Sequence, residues 1–313
     1  MASDMESDIA LHLKADYFDF FDLSIEKIIG SGSTGDVVLA VHNTYPDINR
    51  AVKRFSLKEE DLQKRNISLE RVKKLFYHEV EMVRDLDHPN IVRRSNGIVC
   101  PGYLAIAMDY CPLGTLVDHL KKMTSERIDK FFPGVVAGVE YLHSLRIVHG
   151  DIKLQNIFIN ADNEAVLGDF GVSFKMPENV QGVKSVGSTM GYFAPEVLKK
   201  KPSVDPFKCD SYAVGVVLRC LVKRRRPGYT SDYMEEIRST KMEDKFRYFL
   251  ERLLCRDPCK RSTMSEVQRS LIEFTPDRYT LELSRKRCLE DISNSSMPQQ
   301  KKPTHKRSAS SSS

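Results

Sequence analysis

Residues 149–156 read His149-Gly150-Asp151-Ile152-Lys153-Leu154-Gln155-Asn156, and Asp169-Phe170-Gly171 follows them. An isolated carboxylate, an amine, an amide and a second carboxylate thus lie on two linked loops, and only a chain that folds those loops together can use them. Converged, they have the chemistry of phosphoryl transfer. Asp151 can orient a hydroxyl and accept its proton, Lys153 can offset charge on a transferring phosphate, and Asn156 with Asp169 supplies the oxygen ligands that magnesium takes. A lone Asp-Phe-Gly triplet recurs by chance, so the weight lies in the order and spacing.

Upstream, Ile29-Gly30-Ser31-Gly32-Ser33-Thr34-Gly35-Asp36-Val37 has the form G-x-G-x-x-G-x-V. A dinucleotide-binding turn needs a helix directly after the glycines, whereas Val37-Val38-Leu39-Ala40-Val41 continues as an apolar, partly β-branched run. A strand, glycine turn, strand hairpin fits better, with backbone amides free to approach phosphates because glycine has no side chain. A hairpin with a merely flexible turn is the plain alternative. Ala51-Val52-Lys53-Arg54-Phe55 reads as a strand with a lysine at its centre. From Val72 to Leu86 a helical spacing aligns Val72, Leu75, Phe76, Val83 and Leu86, and Glu79 falls on the same face. A carboxylate turned inward needs a cation, and Lys53 is the candidate; a helix rotated to put Glu79 in solvent is the other reading.

Taken in order, these segments resemble the eukaryotic protein kinases over roughly residues 24 to 275. Further matches are Ala194-Pro195-Glu196, Asp210-Ser211-Tyr212-Ala213-Val214-Gly215, similar to the family's D-x-W-S-x-G helix, and Arg261 after Arg256-Asp257-Pro258. The resemblance implies an α+β bilobal fold. A small β-rich N-lobe with one long helix would span about 24–108, a hinge 109–111, and a larger, mainly α C-lobe about 112–275. It implies ATP and Mg2+ as cofactors, Asp151, Lys153, Lys53 and Glu79 as catalytic residues, and Asn156 and Asp169 as metal ligands. Ile29, Gly30, Gly32, Gly35, Val37, Ala51, Lys53, Met108, Asp109 and Cys111 would line the nucleotide. Lys153 and Thr189 are similar to the serine/threonine branch, with dual specificity as the residual. Val172, after the Asp-Phe-Gly triplet, accompanies threonine acceptors within the family. The implied function is transfer of the γ-phosphate of ATP to protein Ser/Thr hydroxyls. A pseudokinase or scaffold with the same fold is the alternative, against which stands the retention of Lys53, Glu79, Asp151, Lys153, Asn156 and Asp169.

The chain departs from the family pattern at three places. Gly150 stands where most kinases have the arginine that meets a phosphate on the activation segment, which implies a segment that orders without one; Lys175 or Lys184 taking over is the alternative. Arg94 falls where kinases place an apolar residue of the stack linking the lobes. It would snorkel out or loosen that stack, unless the register is slipped by a residue or two. Tyr212 replaces a tryptophan and keeps an aromatic body. Positions that carry carboxylates in arginine-directed kinases match Thr115, Gln155 and Cys220, none of them charged, and Lys223-Arg224-Arg225-Arg226 adds a cationic run on the peptide-binding lobe. Neutral or acidic substrates are therefore expected, with a solvated basic turn as the alternative.

Residues 276–313 hold eight Lys or Arg against four Asp or Glu, a surplus of four within the chain's net +5. The basic balance thus describes a Ser-rich tail with too little apolar surface to order, and gives no reason to expect direct nucleic-acid binding. Residues 1–23 form an acidic extension, whose first nineteen residues set Asp4, Glu6, Asp8, Asp16 and Asp19 against Lys14. No apolar run is long enough to span a membrane, and Met1 to Ala10 lacks a secretory pattern. Seven cysteines without a C-x-x-C pair fit reduced thiols, so an intracellular protein is expected, in the nucleus, the cytoplasm or both. Arg285-Lys286-Arg287 and Lys301-Lys302 with Lys306-Arg307 are spaced like a bipartite nuclear import signal, which makes an import receptor a second expected partner beside the protein substrates; a merely solubilising tail is the alternative.

Overall fold

The computed structural model describes residues 23–274 apart from 33, 34, 185, 188 and 229–232. Residues 1–22 of the acidic extension, the basic tail with both clusters, Ser185 and Ser188 lie outside the described residues. Two compact units divide at Gln268 and Arg269, and the described part of the second, 269–274, is helical.

Short apolar, partly β-branched runs build the N-lobe, and the alternation of side chains along each strand sends them to both faces of one sheet. Strands β1 (Leu23–Ser31), β2 (Asp36–His42), β3 (Asn49–Ser56), β4 (Arg94–Cys100) and β5 (Tyr103–Asp109) form an antiparallel sheet in the order β1-β2-β3-β5-β4. Helices α1 (Glu59–Arg65) and α2 (Leu69–Val83) fall between β3 and β4. The register sets Leu39 opposite Ala51, Ala51 opposite Met108 and Met108 opposite Arg94, so all four share one face of the sheet. The next row, Val37, Lys53, Ile106 and Gly97, lies on that same face. There Val72, Phe76 and Val80 of α2 pack on Phe55, Leu104 and Ile106, while Val38, Ala40, Val52, Ala105 and Ala107 make a separate cluster on the reverse face. Gly97 permits the approach, because a Cβ there would overlap the Phe76 ring and Val80.

Helix α2 starts earlier and stops earlier than its apolar spacing predicts. Ser68 caps it by accepting from the Arg71 amide at 3.2 Å, which fixes the first turn ahead of Val72. Its end tightens into a Leu86 N–H to Val83 carbonyl bond, leaving Leu86 half-buried beyond the helix. Val80, outside the predicted stripe, is buried.

The C-lobe continues with α3 (Leu116–His119), α4 (Ser125–Ser144), strands β6 (Ile147–Val148), β7 (Ile157–Ile159), β8 (Ala165–Leu167) and β9 (Phe174–Lys175), then α5 (Pro195–Leu198), α6 (Pro206–Lys223), α7 (Met234–Ser239), α8 (Asp244–Leu253) and α9 (Met264–Phe274). Helix α6 is apolar on nearly every side and buried from Cys209 to Leu221, which makes it the central strut. Asp205 caps it onto the Phe207 amide at 2.9 Å, and Pro206 opens it at a position where no backbone donor is lost. Strand pairs β6–β9 and β7–β8 bracket the two motif loops, 149–156 between β6 and β7 and 168–173 between β8 and β9. No helix among the described residues is long and apolar enough to cross a membrane.

Candidate active site

Asp210 on α6 holds the first loop. Its buried carboxylate accepts from the His149 amide at 2.8 Å, the Gly150 amide at 3.0 Å and His143 Nε2 at 3.1 Å. Gly150 sits at φ +77°, the left-handed region that glycine takes without penalty, and a Cβ there would press on the Val172 carbonyl. His149 is fully buried. Burial pushes its imidazole down against the pull of the Asp210 carboxylate. As the neutral ring it donates from Nε2 to the Gly168 carbonyl at 3.1 Å and accepts the Asp151 amide at Nδ1, 3.2 Å. One histidine therefore ties the two motif loops together and aims Asp151.

Both carboxylate oxygens of Asp151 are engaged. Lys153 Nζ lies 2.6 Å from Oδ2, and the Thr189 hydroxyl donates to Oδ1 at 2.7 Å. Lys153 also donates to that hydroxyl at 3.0 Å, which closes a three-residue ring. Asn156 donates its amide nitrogen to the Asp151 carbonyl at 2.9 Å, leaving its amide oxygen as the group available to a cation.

Across the cleft, Lys53 Nζ lies 2.7 Å from Glu79 Oε2 and 3.3 Å from Asp169 Oδ1. Glu79 is buried, so the solvated alternative for its helix does not hold. Asp169 adopts φ +63°, an uncommon conformation for a residue with a side chain, of the kind functional turns retain. Burial pushes its carboxyl up, but the Lys53 ammonium and the Arg94 guanidinium outweigh it and hold the group below the usual carboxylate range. Asn156 and Asp169 offer hard oxygen donors and no thiol or imidazole. That donor set fits Mg2+, which binds through one or two carboxylates with water and phosphate oxygens.

The structure corrects the expectation for Arg94. It does not snorkel out: β4 places it opposite Met108, just ahead of an irregularity in the pairing between Arg94 and Gly97, and its side chain is 2 % exposed. Arg94 NH1 lies 2.5 Å from Glu79 Oε1, and the guanidinium lies over the Phe170 ring, 5.1 Å from its centroid. The pleat forces the side chain inward and Glu79 neutralises it there.

The nucleotide-lining candidates fall on the same sheet. Ile29 and Gly30 lie on β1, Val37 on β2 faces Lys53, and Ala51 faces Met108, which precedes Asp109 at the end of β5. Gly32 and Gly35 are joined by a 2.8 Å backbone bond, and a Cβ at Gly35 would overlap the Arg54 carbonyl. Cys111, the last residue of the 109–111 segment, has its thiol pushed up to about 12 by burial and the nearby Asp109 carboxylate. Arg65, not singled out from the sequence, reaches from α1 to Asp36 at 2.9 Å and to the Gly32 carbonyl. The Ser31 hydroxyl and then Arg65 hold the Asp36 carboxyl below its usual range.

The segment after Asp169 is held by backbone contacts. Arg146 donates to the carbonyls of Met176 (3.2 Å), Pro177 (2.7 Å) and Val180 (3.1 Å), and His78 Nε2 to that of Ser173 at 2.6 Å. Ser173 is fully buried with its hydroxyl on the His149 carbonyl, which rules it out as an accessible phosphorylation site in this conformation. Glu196 and Arg261 form a buried bidentate pair at 2.6 and 2.9 Å, with the guanidinium 5.0 Å from the Tyr212 ring centroid. Two substrate-face expectations change. Cys220 is wholly buried within α6 and presents nothing to a peptide. Of the basic run, Lys223 and Arg225 converge with buried Arg219 on Glu236, at 3.6, 2.7 and 2.6 Å, so only Arg224 and Arg226 remain exposed without that partner.

The protein kinase domain family matches residues 23–271. The serine/threonine-protein kinase PAK mbt of Drosophila melanogaster is 28% identical over 253 residues, 76% of this chain and 38% of that protein. A putative serine/threonine-protein kinase of Saccharomyces cerevisiae is 30% identical over 258 residues, 78% of this chain and 27% of that protein. The cell cycle serine/threonine-protein kinase CDC5/MSD2 of the same yeast is 29% identical over 218 residues, 65% of this chain and 31% of that protein. The match thus spans well under half the length of these relatives.

Proposed function

Because the chain belongs to the protein kinase family, we propose that it transfers the γ-phosphate of ATP to serine or threonine hydroxyls of proteins. The observation that carries this reading is the ring of Asp151, Lys153 and Thr189. It presents a carboxylate oriented on both oxygens at the point where a hydroxyl would enter, with an ammonium beside it. Asp151 aligns that hydroxyl and takes its proton, and Lys153 offsets charge that develops on the phosphoryl oxygens. Lys53, held by Glu79, orients the nucleotide phosphates, and Asn156 with Asp169 would hold Mg2+. The metal supplies neutralisation of phosphate charge when bound.

Arg146 supports a further part of the proposal, activity without phosphate on the segment from Asp169 to Glu196. It fastens three carbonyls of that segment, work that a phosphate-bound arginine at position 150 would otherwise do. Threonine selection rests on Val172, half exposed beside the Asp-Phe-Gly turn, and disfavour for arginine-led peptides on uncharged Gln155 and on Thr115, whose hydroxyl and amide engage the Asp118 carboxylate. At least partial nuclear residence, through an import receptor reading the two tail clusters, is proposed from their spacing.

Purified chain offered a positional-scanning peptide library with Mg-ATP tests activity, acceptor and flanking preference together. Transfer to Ser/Thr peptides is expected, with threonine preferred. No transfer to any peptide would overturn the activity, serine selection the acceptor preference, and arginine enrichment three residues before the acceptor the flanking preference.

A further inference from the structure

Glu79 carries two cations. Lys53 holds Oε2 and Arg94 holds Oε1, and both Glu79 and Arg94 side chains are 2 % exposed. Among the described residues, Glu79 is the carboxylate within ion-pair distance of Arg94, whose Nε is buried without a hydrogen-bond partner. Such a guanidinium depends on Glu79 as its one contacting carboxylate, with the Asp169 charge acting from farther off, since a buried cation stripped of its partner is strongly disfavoured. Its Cζ lies over the Phe170 ring, which in turn meets the His149 ring at 5.2 Å between centroids. Arg94 therefore touches the carboxylate of α2 on one side and the Asp-Phe-Gly turn on the other.

A lysine alone leaves a helix such as α2 free to swing, because the carboxylate it releases can go to solvent while the lysine stays with the nucleotide. Here that swing would also take from Arg94, buried beside Met108 and Phe170, the carboxylate it contacts. We propose that Arg94 is a positioning residue, an internal latch that seats α2 against the Asp-Phe-Gly turn whether or not Lys53 is paired with Glu79. Its effect on turnover rests on the kinase reading above; the latch itself does not. Together with Gly150 and the Arg146 clamp it describes an enzyme assembled by its own side chains.

The test compares full-length wild type with Lys53→Met, Arg94→Leu, the double variant and Arg94→Lys by hydrogen exchange of the α2 amides. Lys53→Met is expected to leave α2 exchange near wild type while Arg94 is present, and to accelerate it about tenfold or more in the Arg94→Leu background, the scale of one charged hydrogen bond. Equal acceleration in both backgrounds, or none in either, would overturn the latch. In the transfer assay Arg94→Leu should lower kcat about tenfold and Arg94→Lys, which keeps the charge, by no more than about threefold. Identical losses would assign Arg94 a packing role and overturn the proposal. Should Arg94→Leu fold poorly, Glu79→Gln decides: with the cation stranded, it should melt below the Glu79→Gln/Arg94→Leu double variant, and the reverse order overturns the latch. A wild type with no transfer but the expected exchange pattern sinks the kinase reading alone; turnover without that pattern sinks the latch alone.

Discussion

Asp151 and His149 show how much one side chain can be asked to do. Replacing Asp151 by asparagine keeps its size but removes the group that takes the proton, so turnover should fall about 10²–10⁴-fold. Nucleotide affinity should persist, because Lys53, Asn156 and Asp169 are untouched; calorimetry with the nucleotide alongside the rate assay checks both, and equal turnover would refute the assignment. His149 gives a prediction for pH. Its folded value lies below the ordinary 6.5, so between the two values the unfolded chain binds a proton that the folded chain refuses. This contribution to stability is complete above about 6.5 and is lost as pH falls toward the folded value, with a slope of at most about 1.4 kcal/mol per pH unit. Urea midpoints taken from pH 7.5 to 5.5 should decline, and His149→Leu should flatten that decline. Both residues stand out in the sequence by motif alone. The tautomer of His149 does not, because it follows from the Gly168 carbonyl and the Asp151 amide that the fold brings to its two nitrogens.

Short elements carry the next level of organisation. The activation segment is pinned at β9, at the Arg146 carbonyl cluster and at the Val183–Val204 bridge. Phosphatase-treated enzyme is therefore expected to keep most of its rate, whereas Arg146→Ala should expose the chain near Pro177–Val180 to limited proteolysis. A large loss on dephosphorylation, together with an unchanged digest of Arg146→Ala, would reverse the assignment. At the far end of the segment, α5 is tied down by the Glu196–Arg261 pair, whose side chains are 2 % and 0 % exposed. Removing one partner leaves a buried charge, so Arg261→Ala should cost about 3–5 kcal/mol in denaturant unfolding, against about 1 kcal/mol for an average substitution. The strand at Ala51–Phe55 and the helix carrying Glu79 were readable from their residue patterns, whereas β9 and α5, two and four residues long, are too short to show a period. The start of α2 was set by a cap, Ser68, and a cap is legible only once the first turn is known.

For the whole molecule, the remaining question is where the chain works. Residues 280–313 fused to a reporter too large to diffuse through nuclear pores should accumulate in the nucleus, and replacing Lys301, Lys302, Lys306 and Arg307 by alanine should abolish this; a cytoplasmic reporter ends the proposal. Within the folded part, the sequence alone determined the kinase-like order of motifs, the α+β class and the identities of Asp151, Lys153, Lys53, Glu79, Asn156 and Asp169. Those features are written in short runs whose chemistry and spacing survive without coordinates. Tertiary structure decided what depends on partners remote along the chain. It turned Arg94 inward onto Glu79 and Phe170, buried Ser173 and Cys220, gave Lys223 and Arg225 to Glu236, and made Asp210 the anchor of the catalytic loop. The physical reason is common to all of these. A charge or a polar group has no fixed role in sequence, because its cost and its use are set by the desolvation and the counter-groups that only the packed fold supplies.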